Sequence, residues 1–260
     1  NISISKGTSN QYRVSTRPIS NGTLDIANKT TFKTANLAQR DPTDLMFVMD
    51  VSGSMDFDVD SDEDGEDYDN RLEAAKAAAI DSLSVLNASD RAGLVWYSAE
   101  AGIEESDDKI LTTNLFGPDG IEENINSLDD KGATCINCGL RKALNAFSAA
   151  SNQTRNQTVI LLSDGNNQDV GYASDQTTKE LAERAAERGI TVYTAGFGAD
   201  ESDVGDVLEE VADITGGDYK YTDSPEELSE FFEQSATNVV EEERIVKTPL
   251  TVNATREGLA

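Results

Sequence analysis

Apolar residues fall along the chain in short blocks whose period switches between that of a strand and that of a helix. DLMFVMD at 44–50 is a nearly unbroken apolar run, as expected of a strand covered on both faces. NRLEAAKAAAIDSLSVLN at 70–87 places Leu72, Ala75, Ala79, Leu83 and Leu86 on one helical face. RAGLVWYS predicts a strand, KILTTN an edge strand and PDGIEENINSL a helix with Pro118 near its start. GLRKALNAFSAA predicts a helix and QTVILLSD a buried strand. DQTTKELAERAAERG predicts a helix stopped by Gly189, and ITVYTAGFG another buried strand. DVGDVLEEVADITGG predicts a helix, DYKYTD a short strand, and SPEELSEFFEQSATNVV a helix capped by Ser224 with Pro225 next.

Strands alternate with helices from about Asp44 to about Val240. That order implies an α/β fold: a doubly wound, mainly parallel sheet with helices on both faces. Residues 1–43 are rich in Ser, Thr and Asn, with strand-like stretches in QYRVST and GTLDIANKT. Residues 241–260 return to strand-like alternation in ERIVKTPLTVNATREG. Two readings stand for these ends. They pair into a small β-domain around the 44–240 unit, or they tether it to neighbouring domains.

Composition narrows the function. Among 260 residues 37% are apolar and the formal net charge is −28. That charge repels phosphates and anionic membrane surfaces, so nucleic acid and membrane headgroups are not expected partners. The acids are spread along the whole chain and lysine is scarce, as in proteins of extreme halophiles such as salt-adapted archaea; an ordinary acidic protein is the alternative. The chain shows no start methionine, no signal peptide and no apolar run long enough to span a bilayer, so Asn1 is expected to be a processed terminus or the edge of a longer chain. Asn-x-Ser/Thr acceptors stand at Asn1, Asn21, Asn28, Asn87, Asn152, Asn156 and Asn253, which points to an extracellular glycoprotein.

The chemistry collects where strands end. In an open parallel sheet ligands bind beyond the carboxyl ends of the strands. Asp50, Ser52 and Ser54 follow the first core strand, Thr134 lies in KGATCINCG before a helix, and Asp164 follows another core strand in LLSDGNN. Two carboxylates and three hydroxyls are hard oxygen donors, suited to Mg²⁺, Mn²⁺ or Ca²⁺ rather than Zn²⁺ or copper. Because hydroxyls are neutral, a cation held this way keeps positive charge for a carboxylate from a partner.

Asp50-x-Ser52-x-Ser54, Thr134 and Asp164-Gly165 together resemble the metal-ion-dependent adhesion site of von Willebrand factor type A domains, with all five positions filled, over roughly residues 44–240. The resemblance implies that Ser52 and Ser54 coordinate the metal directly. It implies that Asp50, Thr134 and Asp164 bind it directly or through water.

The acids continue past this site. Asp58, Asp60, Asp62, Asp64, Asp67 and Asp69 surround Gly65, and DSDEDG resembles the start of a calcium loop. Counted from Asp60, the twelfth position is Arg71 rather than Glu, unlike an EF-hand. A second Ca²⁺ site and a solvated acidic loop both remain open. Cys135 and Cys138 form a CxxC beside Thr134. Zinc would need two more soft ligands, and the chain has no other Cys and no His. A local disulfide fits an extracellular protein; two reduced thiols at a helix start are the alternative.

With no His and no phosphate-binding glycine loop after the first strand, an enzyme is not expected. The leading expectation is a cell-surface adhesion or recognition module that binds an acidic group of a protein or glycan partner through a divalent metal. The alternative is a structural subunit of a filament, pilus, surface layer or viral appendage, self-assembling through β-like ends. An intracellular chaperone subunit, as in some relatives of the family, is a third and weaker reading.

Overall fold

A computed structural model describes residues 2–6, 12–16, 41–59, 68–106, 109–151, 154–165, 174–198 and 201–241. The chain divides into two units, Asn1–Ala38 and Gln39–Ala260. In the first, β1 (Ile2–Lys6) and β2 (Tyr12–Thr16) pair antiparallel, with Ile4 opposite Val14. The stretch GTLDIANKT and the segment 242–260, and with them any pairing of the two ends, lie outside the described residues.

The second unit is built on a six-stranded sheet. Its strands are β3 (Thr43–Asp50), β4 (Arg91–Tyr97), β5 (Ala101–Glu104), β6 (Asn156–Ser163), β7 (Ile190–Phe197) and β8 (Tyr219–Thr222). Their order across the sheet is β5-β4-β3-β6-β7-β8, parallel throughout except for β5, which returns antiparallel along β4. The helices are α1 (Arg71–Leu83), α2 (Ile121–Asn126), α3 (Ile136–Ala150), α4 (Asp175–Glu187), α5 (Glu201–Thr215) and α6 (Pro225–Glu241).

The two-residue period of a strand explains the two layers. In β3, Leu45, Phe47 and Met49 point into a core closed by Leu72, Ala75 and Ala79 of α1, Ile121 and Ile125 of α2, and Leu228, Phe232 and Ala236 of α6. Met46 and Val48 point the other way, into a core closed by Leu140, Leu144 and Phe147 of α3, Leu181 of α4, and Leu208 and Val211 of α5. All eight residues of β3 are buried, which is why its sequence reads as a continuous apolar run.

Local signals set the helix ends. The Asn70 side chain accepts from the Glu73 amide at 2.9 Å, and that of Ser174 from the Thr177 amide at 3.1 Å. Pro225 opens α6, and Gly189 closes the turn after α4 with φ +70°. Gly139 is where α3 crosses the sheet, and a Cβ there would come within 2.6 Å of the Tyr97 ring. At the end of the sheet opposite the site described below, buried Asp44 accepts from Arg91 at 2.8 and 2.7 Å and from Arg155 at 2.6 Å.

Two expectations are corrected. KILTTN is not the edge strand. It contributes only isolated bridges, Thr112 to Ala92 and Lys109 to Ser106, and the edge belongs to Ala101–Glu104. Gly102 there lies directly against the Trp96 ring, a contact that favours a residue with no side chain. The helix expected over 118–128 is shorter, Ile121–Asn126, because Gly117 and Asp119 take positive φ (104° and 57°) and hold Pro118 in the preceding turn.

Candidate metal centre

The core strands β3 and β6 lie side by side and end at the same edge, so Asp50 and Asp164 arrive together. Past Asp50 the chain folds into a single 3-10 turn, Gly53–Asp56, that turns Ser52 and Ser54 back over the strand ends. The Gly53 amide donates to the Gly132 carbonyl at 3.0 Å, tying this turn to the loop that carries Thr134. The structure joins Cys135 and Cys138 as a disulfide across the first turn of α3, directly after Thr134.

The hydroxyls and carboxylates interlock. Ser54 Oγ donates to Asp164 Oδ1 at 2.8 Å and lies 3.2 Å from Ser52 Oγ, which is itself 3.4 Å from Asp164 Oδ1. Asp50 sits behind them, fully buried, accepting from the Ser52 amide at 2.8 Å and bonded to Ser163 Oγ at 2.7 Å. Burial, and then the charge of Asp164, push the Asp50 carboxyl up to about 7. A serine has one hydroxyl proton, yet Ser163 Oγ also lies 2.9 Å from the Gly165 carbonyl. The Ser163 hydroxyl donates to Asp50 Oδ2, and the Gly165 carbonyl stands as a second acceptor for the same proton.

Thr134 Oγ1 is buried and has no hydrogen-bond partner among the described residues. It faces the Asp164–Gly165 turn, where a Cβ on Gly165 would lie 3.9 Å from it. A buried hydroxyl normally finds a partner. Among the described residues no three Asp, Glu, Cys or His side chains gather on one point, so the centre is a mixed set of two carboxylates and three hydroxyls. That set fits a hard divalent cation: oxygen donors throughout, one of them unpaired, and two carboxylates whose mutual repulsion a cation would relieve.

Three contacts at the centre were not read from the sequence. Ser163 anchors Asp50, and its position directly before Asp164 was the available signal. Tyr97 donates from its hydroxyl to the Leu162 carbonyl at 2.7 Å, and burial followed by the charge of Asp50 pushes that phenol up, so it stays neutral. Arg71, the first residue of α1, donates to Asp164 Oδ2 at 2.9 Å and to the Gly198 carbonyl, and its guanidinium lies 5.4 Å from the Phe57 ring centroid.

Of the acidic run, Asp58 and Asp69 are exposed, while Asp60, Asp62, Asp64 and Asp67 lie outside the described residues. Of the glycosylation acceptors, Asn87 is exposed in the turn before β4, its side-chain oxygen accepting from the Ser89 hydroxyl at 2.6 Å. Asn156 is half-buried at the start of β6, and its Thr158 is buried. Asn1, Asn21, Asn28, Asn152 and Asn253 lie outside the described residues. No helix among the described residues is long and apolar enough to cross a membrane.

Comparison with known proteins agrees with this architecture. The family model of the von Willebrand factor type A domain matches residues 44–234. Inter-alpha-trypsin inhibitor heavy chain H3 of Homo sapiens is 25% identical over 168 residues, covering 60% of this chain and 16% of that protein. Calcium-activated chloride channel regulator 1 of Bos taurus is 24% identical over 190 residues, 73% of this chain and 18% of that protein. The chain thus spans under a fifth of the length of these relatives. Among solved structures, a von Willebrand factor type A protein from Catenulispora acidiphila superposes with TM-score 0.62 at 19% identity, over 76% of this chain and 42% of that one. A D319A mutant of the PilB minor pilin from Streptococcus sanguinis superposes with TM-score 0.60 at 15% identity, over 88% and 74%. With strand order, helix layers and family match in agreement, the chain belongs to the von Willebrand factor type A domain family.

Proposed function

We propose that this protein is an extracellular recognition module that binds an acidic group on a protein or glycan partner through a divalent cation, Mg²⁺ or its analogues Mn²⁺ and Ca²⁺. Ser52, Ser54 and Thr134 would hold the cation with their hydroxyls, and Asp50 and Asp164 with their carboxylates, directly or through water. The observation that carries this reading is the Thr134 hydroxyl, buried and without a partner among the described residues, beside the Ser52–Ser54–Asp164 cluster. When bound, the cation supplies an electrophilic centre for a partner carboxylate.

The chain's own residues do the rest. Ser163 and the Ser52 amide fix Asp50, the Gly53–Gly132 bond fixes the serine turn, and the disulfide braces the start of α3 beside Thr134. A set built to bind fits better than a set built to catalyse, since no imidazole stands ready to move a proton. The acidic, glycosylated and salt-adapted character read from the sequence belongs to the same proposal.

The test is calorimetric titration of Mg²⁺ into chelator-stripped protein, with Thr134→Val beside the wild type. One ion bound by the wild type, and at least about tenfold weaker binding by the isosteric variant, is the expected result. Equal binding by both would remove Thr134 from the site and the proposal with it.

A further inference from the structure

Asp164 divides its two oxygens between two neighbours. Oδ1 faces the hydroxyls of Ser52 and Ser54, and Oδ2 faces Arg71. The carboxylate is fully buried and the guanidinium 15% exposed, so this pair is little weakened by solvent. Arg71 is fixed from three elements at once, by Asp164 at the end of β6, the Gly198 carbonyl at the end of β7 and the Phe57 ring past the serine turn. Beside it opens a small cleft lined by Asp58, Val59, Gly198 and Asp223, in which Arg71 is the one cation among the described residues.

We propose that Arg71 sets the charge of the metal centre and thereby its preference for an acidic partner. This inference rests on the metal reading above. Two carboxylates and a divalent cation sum to zero charge. With Arg71 held on the outer oxygen of Asp164, these four groups sum to one positive charge, set against the cleft carboxylates of Asp58 and Asp223 on the other side of Arg71. A chain of net charge −28 repels an acidic partner at long range, so a local positive centre is what lets it bind one. The same charge opposes the cation, so the metal is held less tightly than the oxygen donors alone would hold it, and a partner carboxylate completes the balance. Metal and partner then bind cooperatively, each strengthening the other by the same factor.

The experiment measures Mg²⁺ affinity of the full chain by calorimetry, with and without acetate as the carboxylate probe, at fixed ionic strength. Wild type, Arg71→Gln and Arg71→Lys are compared, and thermal unfolding in chelator confirms that each variant folds. In the wild type, acetate is expected to tighten Mg²⁺ binding. In Arg71→Gln, Mg²⁺ alone is expected to bind about tenfold tighter, the scale of one unit charge acting over a short, partly buried distance, and the acetate effect to vanish. Arg71→Lys keeps the charge and is expected to keep the wild-type pattern. If Arg71→Gln weakens Mg²⁺ binding, or leaves both the affinity and the acetate effect unchanged, the charge-setting role is wrong while the metal site stands. If the wild type binds no Mg²⁺, both fall.

Discussion

At the scale of single residues, the centre is held in an electrostatically uncomfortable state. The Asp50 carboxyl stands at about 7 in the folded protein against an ordinary 3.8. Without metal, the folded state therefore keeps a proton that the unfolded chain gives up at lower pH. Below about pH 4 both states hold it and no penalty exists. As pH rises toward 7, folding is progressively disfavoured, by roughly 4 kcal/mol at most, and above 7 the penalty is constant. In chelator, denaturant unfolding from about pH 5 to 8 is expected to show the wild type losing stability relative to Asp50→Asn, which keeps the oxygen facing the Ser52 amide. With saturating Mg²⁺ in place of that proton, the relative loss should disappear. Thr134→Val supplies a contrast. It removes a hydroxyl with no partner, so in chelator the variant is expected to be as stable as the wild type or up to about 1 kcal/mol more stable. In Mg²⁺, thermal unfolding should place it below the wild type, because it forgoes the stabilisation that ligand binding gives the folded state.

The meeting of the five candidate residues was legible because each sits at a strand end or helix start that the hydrophobic pattern already locates. Arg71 was not. Its partner Asp164 is 93 positions away, and an arginine opening a helix carries no sign of what it faces.

At the scale of elements, long buried strands and amphipathic helices were readable because their periods are set by burial. The sheet edge was not. AGIE carries a glycine and an acid where strand formers are expected, and its place is decided by packing of Gly102 on Trp96, a tertiary contact. KILTTN has the alternation of a strand but pairs through single bridges. Two element-level tests follow from close contacts. Gly139→Ala puts a methyl into the Tyr97 ring and the Val48 side chain, and is expected to lower stability by about 1–3 kcal/mol through overpacking of α3 on the sheet. Asp44→Asn leaves Arg91 and Arg155 without their shared carboxylate at the other end of β3, with an expected loss of about 3 kcal/mol. Chemical denaturation measures both, and Mg²⁺ affinity should stay unchanged in the Asp44 variant, since that end of the strand is remote from the candidate metal centre.

At the scale of the molecule, sequence order gave the doubly wound architecture because βα alternation leaves few topologies, and the family match covers the same stretch. The acidic character is a whole-chain property with its own consequence. At net charge −28, self-repulsion destabilises the folded state at low salt. The unfolding temperature is expected to rise with KCl. Screening alone would level off near about 1 M, where the Debye length is about 3 Å, while a salt-adapted surface should keep gaining stability well beyond it. A melting curve that is flat in KCl would count against the halophilic reading.

The most direct test of the metal centre is anomalous diffraction from crystals grown with Mn²⁺ in place of Mg²⁺. The account predicts a single strong peak among Ser52 Oγ, Ser54 Oγ and Thr134 Oγ1, with the carboxylates of Asp50 and Asp164 around it. A crystal soaked to saturation with no peak there, or with its peak elsewhere and the Thr134 hydroxyl still unpartnered, would contradict it.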